Sequence, residues 1–325
     1  MLVDKHGREH SYLRISLTEK CNLRCTYCMP EEGVILKKNN SYMTVDEVIH
    51  IAEFFVARGV NKIRLTGGEP LVFKGFEDVL KAIGKMDVDL SLTTNGLLLN
   101  KFWESILKAG VNSINISLDT LNEEKFKRIT RRGGLDVVLN SIDQALKYGL
   151  KVKVNVVVIK GVNDDEILDF VKMAYSKPIS IRFIEFMPFD GNKWQWEKVV
   201  SAKEILGKIA TEYDVKDIVA LDRDRNYISR DYSYWGMKGS FGVISTMTDS
   251  FCGGCNRIRL TADGHIKNCL FTGDETDLLT PFRRGEDILP LVEYSLMNKH
   301  LKNGGIDFQD LSTMHDHRSM ISIGG

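Results

Sequence analysis

The sequence has no excess of charge of either sign, because 44 Lys and Arg residues balance 44 Asp and Glu residues. Nucleic-acid-binding proteins usually carry a basic excess, so this balance argues against a nucleic-acid partner. The chain also lacks an apolar run long enough to span a bilayer, which argues against a membrane protein. Its first residues lack the apolar segment of a secretory signal, and we therefore expect a cytoplasmic protein.

Cysteine is scarce, and its six copies form two groups of three. The first group is Cys21, Cys25 and Cys28, and the second group is Cys252, Cys255 and Cys269. A disulfide framework is not expected in a long intracellular chain of this kind. Two metal or cluster sites would account for every thiol in the sequence.

The first group has the spacing of a metal centre. Three residues separate Cys21 from Cys25 and two separate Cys25 from Cys28, so the thiolates can converge. Three cysteines are one fewer than usually hold an iron–sulfur cluster, and such a cluster would keep one iron open for chemistry. A zinc knuckle is the alternative, since His6 and His10 lie upstream as candidate ligands.

The second group leaves the identity of its metal open. Thirteen residues separate Cys255 from Cys269, and His265 lies four residues before Cys269. Three cysteines and a histidine form a known type of structural zinc site, so zinc and an iron–sulfur cluster suit this segment equally. Arg257 and Arg259 would point the same way on an extended chain, which suits a phosphate-bearing ligand.

Strand and helix patterns alternate through the first 200 residues. Six strand-like segments, each followed by a helical pattern, predict a parallel sheet with crossover helices. The first strand leads into cysteines and not into a glycine-rich dinucleotide fingerprint. The informative motifs lie at the carboxyl ends of strands, which fits an active site at the top face of a barrel. A flat, doubly wound sheet is the alternative architecture.

Basic residues interrupt the apolar strands. Four different strands contain Arg14, Arg64, Lys153 and Arg182. A charge that points into a barrel must be paired or must bind an anion, whereas one that points outwards between helices extends to solvent. Together with Arg257 and Arg259, these residues predict a polyanionic substrate.

Motifs along nearly the whole chain carry a resemblance to a known family. They are residues 12–17, the first cysteine group with Met29 and Pro30, residues 66–70, 93–97, 117–119 and 183–188, the second cysteine group, and the terminal Gly324 and Gly325. The first cysteine group, with Tyr27 before its last cysteine, resembles the signature of the radical S-adenosylmethionine (SAM) superfamily. With the second group and the terminal glycines, the chain resembles the molybdenum-cofactor biosynthesis protein A family, the GTP 3′,8-cyclases.

The resemblance implies an α/β fold, an incomplete (βα)6 barrel of the TIM type over residues 1–200. An α+β extension over residues 201–302 would close the open side of the barrel and carry the second cysteine group. Residues 303–325 would form a flexible tail, and its two terminal glycines could enter a narrow active site.

The resemblance also implies two [4Fe–4S] clusters. The first, on Cys21, Cys25 and Cys28, would bind and reduce SAM, and the second, on Cys252, Cys255 and Cys269, would bind GTP through its purine. The SAM-contacting positions of the family fall on Tyr27, Gly68, Ser117 and Met187. Its GTP-contacting positions fall on Arg14, Arg64, Thr93, Lys153, Arg182, Arg257 and Arg259. Its catalytic set is the first three cysteines with Arg14, Arg257, Arg259, Gly324 and Gly325.

The implied reaction is a cyclisation of GTP. A 5′-deoxyadenosyl radical abstracts the 3′ hydrogen, and C3′ then bonds to C8 of guanine to give 3′,8-cyclo-7,8-dihydro-GTP. The implied partners are a small electron donor of flavodoxin or ferredoxin type and a downstream cyclic pyranopterin monophosphate synthase. The chain would act as a monomer or a homodimer.

Two rival functions also suit parts of this sequence. A peptide-modifying radical SAM maturase would usually carry more carboxyl-terminal cysteines, and a zinc-stabilised nucleotide-binding module would hold zinc instead of iron. His265, His315 and His317 take no role from the resemblance. Thr130-Arg131-Arg132 is more basic than the Thr-Gly-Arg expected there.

Overall fold

Parallel strands form the centre of the protein. The computed structural model describes residues 1–29, 32–34, 36–221, 228–310 and 318–324. Its first six strands are β1 (Tyr12–Ser16), β2 (Lys62–Thr66), β3 (Asp89–Thr94), β4 (Ser113–Ser117), β5 (Lys151–Val158) and β6 (Ile179–Glu185). They pair in sequence order and all in parallel, as the six strand–helix units predicted.

Helices connect the successive strands and cover the sheet. They are α1 (Val45–Val56), α2 (Phe76–Ile83), α3 (Trp103–Lys108), α4 (Glu123–Thr130), α5 (Leu135–Lys147) and α6 (Ile167–Ser176). Their apolar sides join the strands in one core, where Phe55 of α1 and Phe170 of α6 are fully buried. A capping box begins α1, because Thr44 and Glu47 each accept a hydrogen bond from the other's backbone.

The carboxyl-terminal region extends this sheet at both edges. Its elements are α7 (Ala202–Ile209), β7 (Ile218–Ala220), β8 (Arg230–Tyr234), β9 (Ser240–Ile244), β10 (Arg257–Leu260), β11 (His265–Lys267), β12 (Thr276–Asp277), α8 (Leu279–Arg283), α9 (Leu289–Met297) and α10 (Met320–Ile323). Strand β9 pairs in parallel with β6, and β10 pairs in parallel with β1. Antiparallel strands then lie outside β9 and β10.

The sheet is therefore an incomplete barrel, which confirms the predicted fold class. Across the described residues the strand order runs from β12 to β7 without returning to its start. The extension does more than cover an open side, because it adds one parallel strand at each edge of the six-strand sheet. The domain boundaries at residues 200 and 302 stay a prediction. In the described ranges, no helix has the length and apolar character needed to span a bilayer.

A single carboxylate joins three segments at the end of β6. Glu185 is fully buried and accepts hydrogen bonds from the backbone N–H groups of Ala202 at 2.8 Å and Met247 at 2.8 Å. It also accepts from the backbone N–H of Thr248 at 3.0 Å and from the Thr248 hydroxyl. The last strand of the six, the start of α7 and the loop after β9 are thereby held together.

Replacement of Glu185 should destabilise the fold strongly. In Glu185→Gln, one carboxylate oxygen becomes an amide N–H₂ group, which cannot accept hydrogen bonds. The groups that donated to that oxygen are then left without an acceptor, and each buried unsatisfied group costs about 1–3 kcal/mol. We expect the free energy of unfolding, measured by urea denaturation, to fall by about 3 kcal/mol or more. Glu204→Gln is the matched control, because Glu204 also accepts hydrogen bonds at the start of α7 but lies exposed. That control should cost about 1 kcal/mol, and equal losses in the two variants would contradict this account.

Candidate functional site

Both cysteine groups line one cavity of about 760 Å³. The cavity wall also contains the other side chains predicted for the site, namely Arg14, Tyr27, Arg64, Gly68, Thr93, Ser117, Lys153, Arg182, Met187, Arg257 and Arg259. Gly324 lies outside this lining but contacts it, as shown below. Gly325, Pro30, His315 and His317 lie outside the described residues.

The two cysteine groups lie at opposite ends of the parallel strands. The first group follows β1, so it lies at the carboxyl ends, where the sequence predicted the site. Cys255 lies two residues before the start of β10, which is parallel to β1, so the second group lies at the amino ends. The cavity lining confirms this, since it includes Ser11 and Asn61 at the strand starts as well as Asn95 past a strand end. The motifs expected at the top face belong to the first six strands, and the second group, for which the sequence indicates no strand end, lies at the opposite face.

Backbone contacts fix the first cysteine loop. The N–H of Gly68 donates to the Thr18 carbonyl at 2.7 Å, and the N–H of Glu69 donates to the Lys20 carbonyl at 2.8 Å. A Cβ on Gly68 would lie 2.5 Å from the Lys20 oxygen, so only glycine fits. The sequence predicted close approach of a ligand at Gly68, whereas the structure shows close approach of the cysteine loop itself.

Arg131 supports the same loop from the other side. It ends α4 with a φ of 55°, a left-handed conformation that explains the glycine expected at this position. Its guanidinium donates to the Arg24 carbonyl at 2.8 Å. The basic departure from the family pattern thus gives the cysteine loop an additional hydrogen bond.

The thiols of the first group need a cationic partner to ionise. Burial, with added repulsion from Cys21 and Asp119, raises the pKa of Cys28 to about 12. Burial likewise raises the pKa of Cys25 well above its usual range. Metal coordination deprotonates such thiols. Tyr27 donates a hydrogen bond to Asp119 at 2.7 Å, which places an aromatic ring beside this group.

The thiols within each group are near neighbours, because they influence each other's ionisation. Three clustered cysteines suit an iron–sulfur cluster that keeps one iron open. A single zinc ion would need a fourth ligand beside the three thiolates.

The histidines considered as zinc ligands have other partners. His265 lies with its ring nitrogen 3.4 Å from Asp263. His10 contacts Asp4 at 3.1 Å, and His6 contacts the backbone carbonyl of Lys299 at 3.0 Å. His6 and His10 therefore belong to the amino-terminal segment beside the second cysteine group and not to the first group.

The second group has a cationic environment. Lys299 places its ammonium 3.6 Å from the sulfur of Cys255, and the N–H of Asn303 donates to the sulfur of Cys252 at 3.4 Å. Burial opposes ionisation of Cys255, but Lys299 and Arg257 outweigh it and lower its pKa to about 7. The first group instead has Asp119 beside it, so the two groups differ in electrostatic character.

A row of arginines crosses the inner face of the sheet between the two groups. Arg259, Arg14 and Arg64 are register partners on β10, β1 and β2, so their side chains share one face. Burial and the neighbouring Arg259 lower the pKa of Arg14 to about 9. Burial and the neighbouring Arg182 lower the pKa of Lys153, on β5, to about 8. This crowding of cations is relieved by a polyanion.

The cavity is strongly positive although the chain is neutral. Its lining contains seven basic residues and one carboxylate among the described residues, Asp119. The Tyr12 hydroxyl accepts a hydrogen bond from Arg64. Burial opposes ionisation of Tyr12, but the surrounding arginines lower its pKa to about 7. A composition balanced over 325 residues could not reveal this local excess.

Four asparagines on the cavity wall were not predicted from the sequence. The side-chain oxygens of Asn115, Asn155, Asn256 and Asn268 are buried without a hydrogen-bond partner among the described residues. Buried polar atoms are normally hydrogen-bonded, so these oxygens are suited to a ligand with N–H or O–H donors. Asn115 and Asn155 could have been found from the sequence, because each is a polar residue at an inward-facing position of a strand. Asn256 and Asn268 lie outside the strands and gave no such signal.

The described end of the tail packs against the site. Arg318 pairs with Asp263 at 2.9 Å and also with Glu275, and Ile321 and Ile323 are buried. Gly324 then offers its carbonyl to the Arg259 guanidinium at 2.8 Å. The terminal segment thus reaches one of the cations of the cavity.

Comparison with known proteins identifies the family. The profile of the Radical SAM superfamily matches residues 15–174, and the profile of Molybdenum Cofactor Synthesis C matches residues 179–304. The chain is 44% identical over its full length to "GTP 3′,8-cyclase, mitochondrial" of Arabidopsis thaliana and covers 84% of that protein. The chain belongs to the GTP 3′,8-cyclase family. The predicted resemblance is confirmed, and the peptide-maturase alternative is set aside.

Other relatives of this cyclase family are longer. The chain is 46% identical over its full length to "Molybdenum cofactor biosynthesis protein 1" of Dictyostelium discoideum but spans only 52% of it. The name of the plant relative places that protein in mitochondria. A cytoplasmic location of this chain therefore stays a prediction. The cofactors of the cyclase family, two [4Fe–4S] clusters and SAM, are those predicted.

A solved structure supports the fold. Streptococcus suis SuiB bound to S-adenosylmethionine superposes with a TM-score of 0.64 at 15% identity, over 86% of this chain and 67% of that chain. At this identity the likeness shows the fold alone, and that fold is the incomplete barrel.

Replacement of Gly324 should release the tail. Gly324 has a φ of 72°, and a Cβ there would lie 2.6 Å from the Thr66 hydroxyl oxygen. In Gly324→Ala, we expect amide hydrogen exchange of residues 318–324 to rise about tenfold or more, which corresponds to about 1.4 kcal/mol. Gly285→Ala is the matched control, because Gly285 has the same φ with no atom within 4 Å of the added Cβ. Wild-type exchange in Gly324→Ala would contradict the packing described for the tail.

Proposed function

We propose that the chain catalyses the 3′,8-cyclisation of GTP, the first step of molybdenum cofactor biosynthesis. One observation carries the proposal, namely a single cavity with a cysteine group at each end and a row of cations between them. A substrate held in this cavity would lie between the two cysteine groups. The volume of about 760 Å³ lies in the range of small-molecule sites.

The first end of the cavity is proposed to hold the radical-forming cofactors. Cys21, Cys25 and Cys28 would bind the first cluster, and Tyr27, Gly68, Ser117 and Met187 line the same end for SAM. When bound, these cofactors would supply a 5′-deoxyadenosyl radical that takes the 3′ hydrogen of GTP. Bonding of C3′ to C8 of guanine would leave an unpaired electron on the base, and one electron from the reductant and one proton at N7 would complete the dihydro product. The protein itself positions the reacting atoms and keeps water away from them.

The second end is proposed to hold the guanine. Cys252, Cys255 and Cys269 would bind the second cluster beside it. Asn256 and Asn268 lie in the same wall, and their amide oxygens have no hydrogen-bond partner among the described residues, so guanine N–H groups would supply the missing donors. This placement turns the ribose towards the middle of the cavity, between the two cysteine groups.

The cations between the two ends are proposed to bind the triphosphate. Arginine guanidinium groups match phosphate oxygens in bidentate geometry. Arg14, Arg64 and Arg259 form one row on β1, β2 and β10. Lys153 and Arg182 lie on the paired strands β5 and β6, and Thr93 lies on β3; all three line the same cavity. Gly324 orients Arg259 through its carbonyl, which gives the tail a role in substrate placement.

The partners follow from the same proposal. Reduction of the first cluster requires a small electron-donor protein of flavodoxin or ferredoxin type. The cyclised product would pass to a cyclic pyranopterin monophosphate synthase. The chain would work as a monomer or a homodimer.

Anaerobic turnover tests the proposed function. Reconstituted protein is incubated with SAM, a reductant and GTP, and the products are followed by mass spectrometry. We expect 5′-deoxyadenosine whose formation depends on GTP, together with a product that has the mass of GTP, because it is an isomer of GTP, but a different chromatographic retention. Deoxyadenosine without consumption of GTP would contradict the substrate assignment.

A matched pair of variants tests the role of the cation row in the same assay. Arg64→Met removes a cation that lines the cavity, whereas Arg58→Met removes one that lies over the Phe54 ring on α1. Hydrogen bonds to charged groups contribute about 1.5–3 kcal/mol. The KM for GTP should therefore rise about tenfold or more in the first variant and stay unchanged in the second. Equal KM values would argue against phosphate binding by the row.

A further inference from the structure

Lys299 is a buried lysine to which neither the sequence nor the family comparison gives a role. It is 2% exposed and follows the end of α9. Its ammonium lies 3.6 Å from the sulfur of Cys255 and donates to the backbone carbonyl of Arg257 at 3.0 Å. One side chain thus contacts both a cysteine of the second group and the first residue of β10.

The anionic partner of this ammonium is the sulfur of Cys255. In the described part of the chain, no Asp or Glu side chain forms an ion pair with Lys299, whereas the nearby Arg8 pairs with Asp4 at 2.6 Å. A buried charge is costly unless it is paired and hydrogen-bonded. A thiolate that carries a metal cluster would provide the missing negative charge.

The backbone around Lys299 is held in place. Its N–H donates to the Leu296 carbonyl at 3.0 Å, and its carbonyl contacts the His6 ring at 3.0 Å. Arg8 donates to the carbonyls of Cys252, His300 and Leu301. Residues 299–303 therefore enclose the second cysteine group, and the ammonium has a fixed position against Cys255.

We propose that Lys299 is a positioning residue of the second cluster. Its ammonium holds Cys255, a ligand of that cluster. Its hydrogen bond to the Arg257 carbonyl keeps the Arg257 side chain directed towards the substrate. The proposal rests on the second cluster assigned in the proposed function. A fixed positive charge beside the cluster stabilises its reduced, more negative form and so raises its reduction potential. The hydrogen bond to sulfur also slows the loss of iron.

The test isolates the second cluster. Full-length protein with Cys21→Ser, Cys25→Ser and Cys28→Ser serves as the parent, so that only the second group can bind iron. Into this parent we introduce Lys299→Met, which removes the charge, and Lys299→Arg, which keeps it. Lys208→Met is the matched control, because Lys208 also donates to a backbone carbonyl but lies on α7, outside the cavity lining.

Two quantities are measured for each variant, the rate of iron loss to a chelator and the midpoint potential from an EPR-monitored redox titration. In Lys299→Met we expect iron loss about tenfold faster, as is typical for loss of a group that supports a metal ligand, and a lower midpoint potential. Lys299→Arg should stay closer to the parent than Lys299→Met in both quantities, and Lys208→Met should match the parent.

The possible failures are distinguishable. An unchanged rate and midpoint in Lys299→Met, or the same change in Lys208→Met, would overturn the role of Lys299 alone. A parent that binds no iron would overturn the second cluster itself and, with it, both proposals. Folding of Lys299→Met is judged in the chain with all six cysteines, by iron binding at the first group. If this variant does not fold, Lys299→Gln replaces it with the same expectations.

Discussion

The parallel pairing of β10 with β1 determines the geometry of the whole site. Without it, the first six strands would form an open sheet with one cysteine group at the carboxyl ends. Because β10 runs parallel to β1, the cysteine that precedes it lies at the amino ends, and Arg259 falls into register with Arg14. One backbone pairing, in which Tyr12 is the partner of Arg257 across most of the sequence, thus creates both the second end of the cavity and the row of cations.

The electrostatics of the cavity follow from this geometry. Cations that share the inner face of neighbouring strands lower one another's affinity for protons, as Arg14 and Lys153 show. The two ends differ as well, since a carboxylate lies near the first cysteine group and a lysine near the second. The end of the cavity with the first cysteine group therefore contains a carboxylate, whereas the rest of its lining is basic and suits an anionic ligand, although the net charge of the chain is zero.

The sequence was sufficient for the six strand–helix units and for the cysteine groups, because apolar periodicity and ligand spacing are local signals. It could not show that Arg257–Leu260 pairs with β1, since the alternation of arginine and apolar residues indicates an extended segment but not its partner strand. The asparagine oxygens and Lys299 were missed for the same reason, because only the tertiary structure brings the asparagines to the cavity wall and Lys299 to Cys255. Asp164 and Asp165 are of the residue type that usually caps a helix, but the N-cap of α6 is Glu166, whose carboxylate accepts hydrogen bonds from Thr120 and Leu121.

The central claim is that the two ends of one cavity bind different molecules. EPR spectra of two reduced full-length variants test it directly, one with serine at Cys21, Cys25 and Cys28 and one with serine at Cys252, Cys255 and Cys269. The variant without the first group keeps the cluster of the second group, and we expect GTP to change its spectrum. The variant without the second group keeps the cluster of the first group, and we expect SAM to change its spectrum. A spectrum of the second-group cluster that GTP leaves unchanged would contradict the account.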